Sequence, residues 1–501
     1  MPIARITDAN VGASSVTAAR RLQFTGGADV ASRMLRVAGC LVVIALALCV
    51  PRGGAAEAQL DRAIVFRALD PIPIPVGADA GPQAFTLADV NKDGRLDVIA
   101  VEHDNGRVAV LLGRGDGSFD AAREFDIDGT PTAVAVADLS SPFASDSSGD
   151  ADGNVDIVVG DEDGFAFVLL GRGDGNFDPP EQELDEVLDT SEIIGLAIAD
   201  FDGNGRPDVA FLDAFDEVYF LCDDRGNLAP CQTDVLDTGG TGAAAIASGN
   251  FDPDHIIDLA VVSRDSGDYS VFYGGGDSSF ADPETFPARA VDTNVPSALA
   301  VGDLTGDGLD DLVIASNENF DNLTFLVAAP RQRHTFQRRA YSGPFSATVA
   351  IALADVDRDG AIDAVFAYDG PDRPDYPVLI PGLAGGMFSQ GFLVPGARFG
   401  PGRAVALGDL GGDAGIDIVQ LAADGQQIQV AINMTVPPCA GDCNANHEVS
   451  IDELVLGVAV ALGNEPVDRC LLLDRDGSRM VEINELVAAV AHALNGCAAA
   501  G

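Results

Sequence analysis

The sequence predicts an all-β, seven-bladed β-propeller followed by a small α-helical domain, and three observations carry that expectation. A nine-position acidic loop recurs seven times. Short β-branched segments flank the copies in the same order. A helical duplication begins where the loops stop. Repeats of about 40–50 residues with about four strands each are the pattern of propeller blades.

The loop has the form D-x-[DN]-x-D-G-x-x-D and begins at Asp89, Asp138, Asp200, Asn250, Asp303, Asp355 and Asp409. The intervals are 49, 62, 50, 53, 52 and 54 residues, the long one containing an insertion. Segments such as TAVAVAD and SALAVGD precede the loops, and DVIAVE, DIVVGD, DLAVVS and DLVIAS follow them. A third set, including RVAVLLG, FAFVLLG and YSVFYGG, comes about ten residues later. Such runs, bounded by Gly, Asp and Pro, read as strands. A fourth, weaker strand follows each Gly-rich turn, as in SFDAAREFDI. The seventh unit stops after its third strand, at Asn433. The spare segment Ala63–Val76 would complete that unit and leave no free sheet edge.

Of 501 residues, 78 are acidic and 29 basic, a formal net charge of −49, which excludes a nucleic-acid partner held by phosphate contacts. At 47% hydrophobic, the chain has enough apolar material for packed cores. The apolar run Val37–Val50 follows Arg33 and Arg36, and Ala56-Glu57-Ala58 is an A-x-A cleavage site. Residues 1–58 therefore read as a signal peptide, with Met34 as an alternative start. No other run is long enough to span a membrane, so the expectation is a secreted or cell-surface protein. Cys40 and Cys49 would leave with the signal. Cys222 and Cys231 flank a turn-like stretch and are placed to pair locally, whereas Cys439, Cys443, Cys470 and Cys497 allow three pairings.

Ca²⁺ takes six to eight oxygen ligands, and alternate positions of a tight loop point inward. Side chains at positions 1, 3, 5 and 9, with the carbonyl at 7, can then surround one ion, while Gly at 6 permits the sharp turn. Asp89, Asn91, Asp93 and Asp97, with the Arg95 carbonyl, make a complete first set. Asp200, Asp202, Asn204 and Asp208 make a third, and Asp355, Asp357, Asp359 and Asp363 a sixth. Asp303, Thr305, Asp307 and Asp311 are nearly complete. In the second loop an insertion separates Asp138 from Asp150, Asp152 and Asp156. The fourth has Asn250 at position 1 and His255 at 6, and the seventh has Gly411 at 3 and Ala414 at 6, so these two are poor ligand sets. A single such loop would read as an Asx-bonded polar turn; seven in register point to several bound Ca²⁺ ions with a structural role.

The turn LLGRGDGSF, Leu111–Phe119, repeats as LLGRGDGNF, Leu169–Phe177. Together with the loops and strands it resembles the FG-GAP or VCBS repeats of integrin α-chain propellers and of many bacterial exported proteins. The resemblance covers residues 59–434. It implies a recognition platform for an extracellular protein or glycan, bound by loops on one face. Arg114-Gly115-Asp116 and Arg172-Gly173-Asp174 spell RGD at the same place in both turns, which reads as turn chemistry.

After a linker, residues 435–441, the period becomes helical. VSIDELVLGVAVAL, Val449–Leu462, and VEINELVAAVAHAL, Val481–Leu494, are a duplication offset by 32 residues. Leu454, Val455, Val458 and Leu462 recur as Leu486, Val487, Val490 and Leu494, an apolar face on each helix, and the two faces are placed to pack together. A twelve-position EF-hand-like loop precedes each helix. The first offers Asp442, Asn444, Asn446, the Glu448 carbonyl, Ser450 and Glu453; the second offers Asp474, Asp476, Ser478, the Met480 carbonyl, Glu482 and Glu485. His447 and Arg479 replace the usual Gly at position 6. Residues 442–501 resemble a type I dockerin, which implies a cohesin-like partner.

The five His residues stand in no metal or triad spacing, and the regular carboxylate pairs belong to the loops. The sequence therefore points to a binding, adhesion or scaffold protein rather than an enzyme. A polysaccharide-active propeller and a passive surface component are the alternatives.

Overall fold

The computed structural model describes residues 64–495 except 65, 75–81, 140–151, 180–190, 224–227, 232–234, 289–294, 317–322, 329–335, 342–347, 369–376, 384, 390, 395–398, 400, 413–414, 435–440, 442–448, 465–469, 471–472, 474–480 and 482. The chain divides into Met1–Asp61 and Arg62–Gly501, and the described residues all lie in the second unit. The expected signal peptide falls outside them. Among the described residues no helix is long and apolar enough to cross a membrane.

Antiparallel sheets succeed one another along the chain. The first comprises Pro82–Ala88, Asp97–Glu102, Arg107–Leu111 and Arg123–Asp126. Equivalent sheets begin at Ile193–Ala199, Ala243–Gly249, Pro296–Gly302, Thr348–Ala354 and Gly402–Gly408. In the sheet of Gly402–Gly408, the outer strand comes from the other end of the chain. Phe66–Ala68 pairs antiparallel with Gln427–Asn433, Phe66 opposite Asn433, so the spare N-terminal segment closes the sheet as its position in the sequence suggests. These six sheets have four or more strands and are complete blades, against the seven that the loop count predicts. Of the two other sheets, one only pairs Gly382–Leu383 with Met387–Phe388; the other, Pro131–Ala137, Asp156–Asp161 and Ala166–Leu169, has three strands among the described residues, and its expected fourth strand lies outside them. The first strands lie side by side in chain order, and Gly402–Gly408 lies beside Pro82–Ala88.

The second strands are continuous apolar runs because they are buried on both faces. Alternate side chains of a strand point to opposite sides. Val98 and Ala100 therefore pack with Val419 and Leu421, while Ile99 and Val101 pack with Ile157 and Val159. Each such side chain contributes about 1.5–3 kcal/mol relative to exposure, so the stability of the ring resides in the layers between sheets. One regular feature escapes the sequence. The first strand of each sheet of three or more strands has a register shift near its start, as between Pro82 and Ala84 or Gly402 and Ala404. A bulge of this kind increases the local twist.

Beyond the strands, two α-helices are described: α1 (Ile451–Ala461) and α2 (Ile483–Asn495). Val460, Leu473, Val481 and Ala489 form their small core, with Leu454, Leu456 and Leu486 packed against it. The expected apolar faces divide. Leu454 and Leu486 turn inward, whereas Val455, Val458 and Leu462 are exposed, as are Val487, Val490 and Leu494. Apolar residues surround each helix, and a two-helix core can cover only one side of it.

Candidate metal centre

Each nine-position loop joins the first strand of its sheet to the second, and its ninth residue is the first of the second strand. This aspartate is buried throughout: Asp97, Asp208, Asp258, Asp311, Asp363 and Asp417 are fully inaccessible, and Asp156 nearly so. Its Oδ2 accepts the backbone N–H of position 2. Val90 donates to Asp97 at 2.9 Å, Phe251 to Asp258 at 2.8 Å and Val356 to Asp363 at 2.8 Å. Its Oδ1 accepts a backbone N–H from the end of the third strand: Gly113 on Asp97, Gly171 on Asp156, Gly274 on Asp258, Gly382 on Asp363 and Asn433 on Asp417. Glycine is required at 113, where a Cβ would lie 2.1 Å from the Leu96 carbonyl oxygen. The ninth aspartate, read from sequence as a cation ligand, is thus first a staple joining three segments of its own sheet. It keeps that role in the fourth and seventh loops, whose other positions are poor ligands.

Positions 1, 3 and 5 curl the loop around its own carboxylates. Asp89 accepts the N–H groups of Asp93 and Gly94, Asn91 that of Asp93, and Asp93 that of Arg95. Asp200, Asp202 and Asn204 repeat this wrapping, as do Asp355, Asp357 and Asp359. Asp303 accepts from Asp307 and Gly308, and Asp307 from Leu309. These are the Asx bonds of a polar turn, and they hold the loop shape without an ion. Each carboxylate oxygen has a second lone pair, so the wrapped loop can still present oxygens to a cation. The glycine at position 6 has positive φ where expected, at Gly94, Gly205, Gly308 and Gly360. Position 4 does so too, at Lys92, Gly203, Gly306 and Arg358. The sequence gives no signal for that at Lys92 and Arg358, since neither residue favours the left-handed region.

The sixth loop gathers its acids most closely. Carboxylate oxygens of Asp355, Asp357 and Asp363 lie within 4.8 Å of one another. Burial raises the Asp363 carboxyl above the usual range, and the charge of Asp357 raises it further. Burial likewise pushes Asp97 and Asp208 up to about 6 and Asp156 to about 7, with neighbouring aspartates adding to the rise and the stapling N–H groups opposing it. An all-oxygen donor set carrying excess negative charge fits a hard divalent cation such as Ca²⁺. In the third loop Asp202 and Asp208 approach the Cys222 sulfur. Cys222 is disulfide-bonded to Cys231, the pairing suggested by their spacing, so that sulfur is no thiolate ligand.

Other expected ligands are not brought together, or lie outside the described residues. Thr305 donates its backbone N–H to Asp311, the bond that Asp202 and Asp357 make from the same position. In the second loop Asp138 accepts from Gly153 and Asp152 from Asn154, while Asp150 is outside the described residues. So are Asp442, Asn444, Asn446, Glu448, Asp474, Asp476, Ser478, Met480 and Glu482. Ser450 and Glu453 form a capping box at the start of α1: Glu453 Oε2 accepts from the Ser450 backbone and hydroxyl, and Ser450 Oγ from the Glu453 N–H. Glu453 and Glu485 occupy equivalent places and are both buried. The RGD tripeptides are spent on their turns. Asp116 accepts from Ser118, Gly115 has positive φ, and Arg114 pairs with Asp120 at 2.7 Å.

The family match and the curated relative agree with this architecture. Residues 89–141 and 150–211 match the FG-GAP-like repeat. The chain is similar to integrin alpha pat-2 of Caenorhabditis briggsae, 30% identical over a stretch covering 25% of this chain and 13% of that relative. The chain thus spans a small part of the relative's length. Among solved structures, it is similar to BBS1N crystallised with ARL6DN and soaked with mercury, at a TM-score of 0.49 and 12% identity over 74% of this chain and 97% of that one. The lead-soaked form gives 0.49 and 13% over 75% and 99%. The matched repeats, the integrin-alpha relative and the arrangement of the sheets are those of an FG-GAP β-propeller.

Proposed function

We propose that the protein is an exported, calcium-binding propeller of seven modules that works as a binding, adhesion or scaffold protein, with its C-terminal helices as a dockerin-like docking element. The observation that carries calcium binding is the convergence of Asp355, Asp357 and Asp363, within a loop design repeated around the ring. Ions there would offset the charge of the buried acids and fix the loops; the chain's own part is to supply oxygens already oriented by Asx bonds. The three-stranded sheet of Pro131–Ala137 supports a seventh module, since it carries the same loop and staple as the six complete blades. The relative's name, integrin alpha, supports an extracellular binding role, with a protein or glycan as ligand. The solvent-facing apolar residues of α1 and α2 support docking to a cohesin-like partner. No catalytic step is assigned.

Equilibrium dialysis of the full chain against ⁴⁵Ca²⁺ tests the first part, and binding of several ions is expected. Pull-down from an extracellular fraction, with and without residues 439–497, tests the second. Capture that ignores both chelation and the tail removes the docking role. Turnover of acidic polysaccharides would replace the binding reading with an enzymatic one.

A further inference from the structure

At three junctions a loop is tied to the next sheet through the carbonyl of its second position. Gly117 N–H donates to Leu410 O at 2.9 Å, Gly175 to Val90 O at 3.3 Å and Ser278 to Phe201 O at 3.1 Å. Each donor lies in the Gly-rich turn after the third strand of the neighbouring sheet. In the sheet of Gly402–Gly408 no Gly-rich sequence follows the third strand, which ends at Asn433, and the outer strand comes from Phe66–Ala68. A side chain makes the link there instead. Asn433 Nδ2 donates to Val356 O at 2.8 Å, the second position of the sixth loop, and to Ile416 O at 3.1 Å in the seventh. The residue is buried, its own N–H staples Asp417, and it pairs with Phe66 across the seam where the first and last strands of the ring meet.

We propose that Asn433 is a positioning residue that couples cation occupancy of the sixth loop to closure of the ring at this seam. The inference rests on the calcium reading above. The peptide between Val356 and Asp357 is held on one side by Asp363, which accepts the Asp357 N–H, and on the other by the Asn433 amide, which donates to the Val356 carbonyl. A cation neutralising Asp355, Asp357 and Asp363 fixes that peptide. Its carbonyl then holds Asn433, and with it the strand that pairs with Phe66–Ala68. Ion binding on the loops thereby governs how tightly the N-terminal strand is retained.

Hydrogen exchange of the full chain, with calcium or EDTA, tests this together with ion stoichiometry from dialysis. In the wild type, calcium slows exchange of amides in 66–68 and 427–433 by about tenfold, the effect of roughly 1.4 kcal/mol on local opening. Asn433→Gly installs the residue found at this place in four other sheets and retains the N–H bond to Asp417. It binds as many ions as the wild type but loses the calcium-dependent protection of the seam. Asp357→Asn, made in the unaltered seam, lowers the stoichiometry and loses the same protection. Seam protection that persists in Asn433→Gly, or a wild-type seam indifferent to bound calcium, overturns the coupling and leaves calcium binding standing. A wild type that binds no calcium overturns the proposed function itself.

Discussion

The sixth and fourth loops have the same staple and different contents. Asp363 and Asp258 are both inaccessible and both join position 2 to the end of the third strand. Around Asp363, Asp355 wraps two N–H groups and Gly360 supplies the left-handed turn. Around Asp258, Asn250 offers one oxygen, its Nδ2 meets His255 Nδ1 at 3.3 Å, and His255 itself adopts φ 62°. The fourth loop is tied to the fifth by protein alone, Asn250 N–H to Asp310 Oδ2 and Asp310 N–H to Asn250 O, each 2.8 Å. Position 9 therefore serves the fold in both loops, and the donors at positions 1, 3 and 5 decide whether it also joins a candidate site.

If that division is right, removing the staple costs the same in either loop. Asp363→Ala and Asp258→Ala each leave two or more buried N–H groups unsatisfied, and each is expected to destabilise the protein by about 3 kcal/mol. Denaturant unfolding in EDTA would measure it, and a loss confined to Asp363 would break the comparison. Calcium should then separate the two loops. For a site with Kd near 10⁻⁴ M, about 10 mM Ca²⁺ stabilises by about 2.7 kcal/mol. Asp357→Asn is expected to remove that increment and Asp252→Asn to leave it intact, read as the difference in Tm between calcium and EDTA.

Much of the ring was legible because its signals are local and repeated. The loops, the strand runs and the spare segment Ala63–Val76 mark the sheets, and Phe66–Ala68 pairs where that segment was expected to. The double duty of position 9 was not legible. A motif gives the residue type, whereas the donors to Asp97 come from Val90 and from Gly113, sixteen residues downstream. Nor could the pattern show that the helix faces divide, because Leu454 and Val455 are equally apolar and only packing distinguishes them.

Acidity offers a further contrast. Burial raises Asp258 to about 7 from an ordinary value of 3.8, so the folded state holds a proton there that the unfolded chain has released. The associated stability is fully present below pH 3.8 and is lost as pH rises through about 7. Melting in EDTA is expected to drop over that window and to do so less in Asp258→Asn. A melting temperature flat with pH in the wild type would show that the two stapling N–H groups fully offset desolvation.

The smallest effect concerns position 6. His255 has a side chain in the left-handed region that the sixth loop fills with Gly360. A side chain there costs about 1 kcal/mol, part of which glycine returns through its greater freedom when unfolded. His255→Gly is therefore expected to stabilise the protein by somewhat under about 1 kcal/mol in denaturant unfolding. It should add no bound calcium, since Asn250 remains at position 1. An extra ion in dialysis of this variant would show that turn geometry, rather than the donor at position 1, keeps the fourth loop from binding.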